Sequence, residues 1–360
     1  MDKLDADIKM LFSLASNTLI NQHSDINQTI RILQDENLAE CIVASDIFMT
    51  PSARFADILL PGISFFEEMN LSEPWRSGHY LIGNNPSIAP VFGSRDEYFW
   101  VGDVAKRLGL WEQWSLGRKT PEEWLRAQYE ECRAEQMESL GAENALPPFD
   151  EFMAAGGFTY PNAKNSIAYE AQIRDPEHHP FKTPSGKIEI FSSRLYEMHR
   201  PDDIPAVPKY IPCPEGPEDP LREKYPLQLI GWHTKRRCHT VHDNNPWMEE
   251  VEPQRLWIHP EDASPRGILD GDTVDIYNDR GRIRMVAAVT DRVIPGVIAM
   301  PQGAWYTPDE NGIDRRGCIN VLTAYRPTPL AFGNPQHTNL AEVEKAKQPA
   351  NHQNSVNTIN

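Results

Sequence analysis

The densest chemistry in the sequence is the run Trp232-His233-Thr234-Lys235-Arg236-Arg237-Cys238-His239-Thr240-Val241-His242, directly after an apolar stretch. His233, Cys238, His239 and His242 are the right types for a zinc site. However, adjacent Cys238 and His239 would point to opposite sides of an extended chain, with three cations among them. An anion-binding loop fits better: arginine offers a planar fork to phosphate, and imidazole can donate to phosphate or heterocycle oxygens. The bland alternative, a solvated basic loop, is weakened by so concentrated a basic run in a strongly acidic chain.

Polar residues at apparent strand ends form a second group. Asn17 and Asp46 could hydrogen-bond a nucleotide, since an acid after a parallel strand suits ribose hydroxyls or guanine N–H donors. From spacing alone, an Asx turn serves equally well. Asn320, Asn334, Gln336 and His337 lie in Gly/Pro-broken loops, where amides can read a heterocycle edge through one donor and one acceptor. Ser185-Gly186-Lys187 lacks the full phosphate-loop spacing, and no Gly-x-Ser-x-Gly elbow occurs. The acidic pairs Glu130-Glu131 and Glu249-Glu250 read as solvated faces.

Composition bounds what these groups can serve. The 360 residues carry a net charge of −17, which argues against a nucleic-acid partner. Apolar runs fall well short of the roughly 20 residues of a spanning helix, and the opening residues show no export leader. Five scattered cysteines, without a Cys-x-x-Cys pair, outline neither a disulfide framework nor an iron–sulfur site.

Positioning falls to two kinds of element. Residues 7–12, 41–45 and 56–60 read as strands of a parallel sheet, with a helix after Asp25 capped reciprocally by Gln28. Ser94/Glu97 and Thr120/Glu123 read as capping boxes of two further helices, the second running to about Leu140. Its buried face is expected at Trp124, Leu125, Cys132 and Met137. After irregular chain with one strand-like piece at 186–191, short strands recur at 227–230, 255–258, 273–277, 283–286 and 297–300, as in a small closed barrel. The expected division is an α/β dinucleotide-binding domain at 1–140, a connecting region at 141–221, a β-barrel at 222–348 and a loose tail at 349–360.

Six ordered runs resemble one family, the molybdopterin-dinucleotide oxidoreductases of the dimethyl sulfoxide reductase type. They are residues 17–25; Ser45-Asp46 through Pro61; Thr183-Pro184-Ser185-Gly186-Lys187-Ile188-Glu189; His233 through Trp247; Trp257 through Asp272; and Gly303 through Thr338. The likeness is strongest to membrane-attached dimethyl sulfoxide reductase catalytic subunits and covers their carboxyl-terminal half. It implies a nucleotide-binding α/β unit followed by a double-psi-type barrel, with a molybdenum-bearing pair of molybdopterin guanine dinucleotides between them. By resemblance, Asn17, Gln22, His23, Asp46 and Asp96 meet one guanine and phosphate end. His233, Thr234, Arg237, His239, Asn320, Asn334 and Gln336 then grip pterin and phosphate parts from the barrel.

The same resemblance places the iron–sulfur cluster and the molybdenum ligand in an amino-terminal half without counterpart here, so no catalytic or metal-ligating residue is assigned. The chain is expected to be a fragment or split half, inactive alone, of a terminal reductase that removes oxygen from S- or N-oxides. Its implied partners are the missing half, an iron–sulfur electron-transfer subunit and a membrane anchor, on the periplasmic side of a bacterial inner membrane. The alternatives are a selenate or related oxyanion reductase subunit and a non-catalytic cofactor-binding or assembly module.

Overall fold

In the computed structural model, residues 6–75, 78–161, 167–333 and 337–347 are described. Strands β1 (Met10–Leu14), β2 (Cys41–Asp46) and β3 (Ile58–Pro61) form a parallel sheet in that order. β1 lies later than residues 7–12, because its ladder with β2 begins at Met10 opposite Cys41. Central β2 buries Ile42, Val43, Ala44 and Ser45, whereas the flanking strands leave apolar side chains in solvent. Helices α1 (Thr18–Asn21) and α2 (Ile26–Leu33) follow β1. The Asp25 carboxylate accepts from the Gln28 amide at 3.2 Å, the N-cap expected from sequence.

Helix α3 (Glu97–Arg107) departs from the Ser94/Glu97 capping box. Asp96 caps it, accepting from the Tyr98 amide at 2.7 Å. Ser94 donates to the Val91 carbonyl, and Glu97 accepts from the Ser45 hydroxyl. After α4 (Trp111–Ser115), α5 (Pro121–Leu140) starts at the expected Thr120 cap. Its fully buried residue is Tyr129, and Cys132 and Met137 are exposed. Tyr129 packs with Phe149 and Phe152 of α6 (Phe149–Ala155) beneath a small sheet absent from the sequence reading. That sheet comprises β4 (Asn70–Ser72), β5 (Tyr80–Asn84) and β6 (Gly157–Thr159).

Segment 186–191 is no strand: Ile188 and Ile190 stand 76% and 77% exposed. The connecting chain returns to the barrel at buried Glu215, which pairs with Arg280 and Arg326 and accepts from the Leu340 amide.

The closed barrel has six strands: β7 (Leu227–Trp232), β8 (Arg255–Ile258), β9 (Thr273–Tyr277), β10 (Arg282–Val289), β11 (Val297–Pro301) and β12 (Asn339–Lys345). Their order is β10-β8-β11-β7-β12-β9, mixing parallel and antiparallel neighbours. β12 was not foreseen, yet it closes the barrel between β7 and β9. The inward residues Leu227, Leu229, Leu256, Ile258, Ile276, Ile283 and Ile298 form one core with Ile20 and Ile26 of the first unit.

That shared core is locked by polar contacts. The Asn21 amide donates to the Ala304 carbonyl at 2.6 Å, and the Asn320 amide donates to the Asn21 carbonyl at 2.7 Å. The Asp25 amide donates to the Thr323 carbonyl, and the Asn27 side chain to the Arg280 carbonyl. Asn320 is 2% exposed, so its removal orphans a buried carbonyl. Asn320→Ala should cost about 1–3 kcal/mol in urea unfolding. In hydrogen exchange, the loss of protection should be concentrated at α1.

Candidate functional site

The basic run after β7 turns its charges in two directions. Arg236 and Arg237 are buried, while His233, Lys235, Cys238, His239 and His242 are exposed. Arg237 pairs with Asp243; its Nε and Nη2 donate to the Gln302 carbonyl, and Nη2 also donates to the Gln254 side chain. Burial pushes its pKa down to about 10, and the guanidinium stays charged at neutral pH. Arg316 bridges Asp243 and Glu249, whose charges outweigh its burial and hold its pKa above the ordinary arginine value. Arg236 Nη1 lies 3.2 Å from Glu249, and its buried Nε has no hydrogen-bond partner among the described residues.

Above this buried layer the imidazoles form a face. His233 and His239 meet edge-on, with ring centroids 5.3 Å apart. His239 has a left-handed backbone (φ 49°), and its Nδ1 lies 3.1 Å from the Gln302 side-chain nitrogen and 3.5 Å from that side chain's oxygen. Gly303 is the close neighbour that permits this: a Cβ there would lie 1.9 Å from the His239 carbonyl oxygen, and its own φ is 91°. The next residue, Ala304, receives the Asn21 amide. Asn21 in turn accepts from Asn17, whose own side-chain oxygen accepts from the Ser52 amide and hydroxyl. A continuous set of contacts therefore joins His239 to Asn17.

At the carboxyl ends of β2 and β3, Asp46 and Asp96 both lie within the influence of Glu97. Burial raises both carboxyls above the ordinary carboxylate range, and the Glu97 charge adds to it. The Asp46 carboxylate is held by the Ile47 amide at 2.8 Å, an Asx arrangement. Gly62 lets this corner close, since a Cβ there would sit 2.9 Å from Glu97 Oε1.

The residues singled out by sequence thus fall into distinct roles. His233 and His239 share one face, and Asn17, Asp46 and Asp96 lie about the sheet edge. Gln22 and His23 are exposed, and His23 borders a small cavity with Arg326 and Phe332. Thr234 is buried and donates to Glu252. Arg237 and Asn320 are buried and donate to protein acceptors inside the fold, Arg237 to Asp243, Gln302 and Gln254 and Asn320 to the Asn21 carbonyl. Asn334 and Gln336 lie outside the described residues. Gln302, Gly303, Asp243 and Arg316 were missed as supports of this face. Of these, Asp243, Gly303 and Arg316 stood in runs already singled out, and Gln302 directly precedes one.

Against known proteins, residues 1–107 match the family described as molybdopterin oxidoreductase, and 227–340 the molydopterin dinucleotide binding domain. Dimethyl sulfoxide reductase DmsA of Escherichia coli is 45% identical over 353 residues, covering 96% of this chain and 42% of DmsA. The chain belongs to the molybdopterin oxidoreductases. The dimethyl sulfoxide/trimethylamine N-oxide reductase of Rhodobacter capsulatus is 33% identical over 358 residues, 96% of this chain and 42% of that protein. The chain spans less than half the length of these relatives. Acetylene hydratase from Pelobacter acetylenicus shares the fold, with a TM-score of 0.68 at 21% identity over 94% of this chain and 44% of the hydratase.

For a molybdopterin oxidoreductase the donor set fits its dinucleotide. Imidazoles and Lys235 backed by buried guanidiniums suit phosphate, and half-buried carboxylates suit N–H-rich bases. Because the close approach at Gly303 is to backbone, Gly303→Ala should cost more than about 2 kcal/mol in thermal or urea unfolding. Glycine at this position should also be needed for the His239–Gln302 contact, read as loss of a fixed His239 tautomer by NMR.

Proposed function

We propose that this chain is the cofactor-holding portion of a terminal reductase that removes oxygen from S- or N-oxides such as dimethyl sulfoxide. The observation that carries the reading is the continuous contact path from the His239 face through Ala304 and Asn21 to Asn17. It sets an anion-binding surface of the barrel beside the polar edge of the sheet. DmsA and the Rhodobacter capsulatus reductase support the substrate class. The cofactor is assigned as the bis(molybdopterin guanine dinucleotide) form, and the barrel as double-psi in type.

When bound, such a group supplies two-electron oxygen-atom exchange at molybdenum. This chain's residues bind and orient it. His233, His239 and Lys235 meet phosphate or pterin oxygens, and Asp46 and Asp96 accept from guanine N–H groups. Arg237 acts from below, holding the chain that carries His239. The reacting centre and the iron–sulfur cluster are assigned to the part of the enzyme that the relatives have beyond this length.

Two features of the fold support a covering polypeptide. The parallel sheet leaves Met10, Phe12 and Leu14 of β1 and Ile58 and Leu59 of β3 exposed, whereas parallel sheets are ordinarily covered on both faces. Ile188 and Ile190 are also exposed, although a sequence of their kind reads as a strand. We assign both surfaces to the remaining half of the catalytic subunit. By resemblance we also assign it an iron–sulfur subunit and a membrane anchor as partners, and a periplasmic location. Among the described residues no helix is long and apolar enough to cross a membrane.

Viologen-linked dimethyl sulfoxide reduction should be absent from the isolated chain and present once it is assembled with the remainder of the subunit. Acid should then release guanine nucleotide together with molybdenum. Turnover by the chain alone, or an assembly free of guanine nucleotide, would overturn the reading.

Asp46→Asn separates binding from stability. Burial raises the folded pKa of Asp46, so its ionised form costs folding free energy that is recovered as the group is protonated. The variant should therefore be more stable than wild type at pH 7, with the gain fading as pH falls through the carboxylate range. It should meanwhile bind guanosine monophosphate more weakly, as titration calorimetry would show.

A further inference from the structure

We propose that Asp243 is the positioning residue for the imidazole face. It ties the basic loop to the chain after β11 and so fixes where His239 stands relative to the sheet edge. The proposal rests on the cofactor-binding reading above and adds a residue to it.

Asp243 has a side chain only 2% exposed, and each of its oxygens accepts twice. Oδ1 takes Nη1 of Arg237 and, at 2.9 Å, Nη2 of Arg316. Oδ2 takes the Trp305 amide at 2.8 Å and Nε of Arg316 at 3.1 Å. Its partners lie on both sides of the seam between loop and barrel. Arg237 also holds the Gln302 carbonyl, Gln302 holds His239 Nδ1, and the Trp305 indole donates to the Thr240 carbonyl at 2.9 Å. Trp305 directly follows Ala304, the residue that receives Asn21. One carboxylate is therefore the common acceptor of the loop, the β11 chain and Arg316.

Its charge is as necessary as its shape. Three guanidiniums, from Arg236, Arg237 and Arg316, share Asp243 and Glu249. Without the Asp243 charge, they crowd around Glu249 alone. An asparagine at 243 keeps one acceptor but turns an amide donor toward one of the two donor pairs. The loop should then part from the seam at Trp305, and His239 should lose its fixed contact with Gln302.

The test uses the full 360-residue chain carrying Asp243→Asn and, separately, Arg316→Met, whose side chain is a quarter exposed and easier to remove without unfolding. Three readouts are taken: Trp305 amide exchange, the His239 ring tautomer by nitrogen NMR, and affinity for inorganic pyrophosphate. In Asp243→Asn, Trp305 exchange should rise roughly tenfold to a hundredfold, the range for losing a hydrogen bond to a charged acceptor. His239 should become a tautomer mixture, and pyrophosphate should bind at least about tenfold more weakly. Arg316→Met should move all three readouts in the same direction and serves alone if Asp243→Asn does not fold. A folded variant that melts earlier yet keeps the wild-type tautomer and pyrophosphate affinity would overturn the proposal, leaving Asp243 a purely structural residue. A wild-type chain whose His233 and His239 signals ignore pyrophosphate would instead overturn the cofactor-binding reading, while the exchange and tautomer results still decide the role of Asp243.

Discussion

The arrangement depends on one short junction, where Asn21 gives its side-chain amide to Ala304 and its carbonyl to Asn320. A sheet edge and a barrel loop far apart in sequence can present groups to one ligand only if their separation is fixed. Hydrophobic burial supplies most of the adhesion, through Ile20 and Ile26 within the barrel core. Burial is non-directional, however, and would tolerate sliding between the units. The buried amides remove that freedom, since each displaced bond leaves an unpaired polar group in a dry interior.

Beneath the imidazole face, the protein accepts an arrangement that is poor for stability. Buried ion pairs rarely repay their desolvation, and apolar replacements of similar volume often hold a fold equally well. A layer in which three guanidiniums share two carboxylates is therefore better understood as a device for orientation and field. It ties the loop to the barrel while placing positive charge behind His233, Lys235 and His239, the field that the proposed anionic ligand requires. Asp46 and Asp96 at the sheet edge show the same compromise with opposite sign, half-buried acids whose ionisation is disfavoured where they stand.

Much of this was legible in the sequence, because local rules govern what local neighbours decide. The Asp25 and Thr120 caps and five of the barrel strands follow from spacing and turn chemistry. β12 escaped as a strand, although it lies within the expected barrel region, because Glu342, Glu344 and Lys345 make it polar until β7 and β9 bracket it. The capping box at Ser94 failed because Glu97 has a stronger claim elsewhere, the Ser45 hydroxyl on β2. Arg237 and Asn320 were identified as important residues, but the direction of their side chains was not legible. A motif fixes residue type, whereas burial fixes which way a donor points, and burial is a property of the whole fold.

The same logic applies to the exposed apolar surfaces. Segment 186–191 has the alternation of a strand and lies unpaired, and β1 has the apolar content of a buried strand and lies half in water. Local pattern and observed environment disagree at both places, whereas around β2 and the barrel they agree. A natural sequence is locally consistent with its folded surroundings, and the covering polypeptide proposed above would restore that consistency at both surfaces. On the reading proposed above, a single neighbouring polypeptide covers both surfaces. The relatives, more than twice as long, have the polypeptide to provide one.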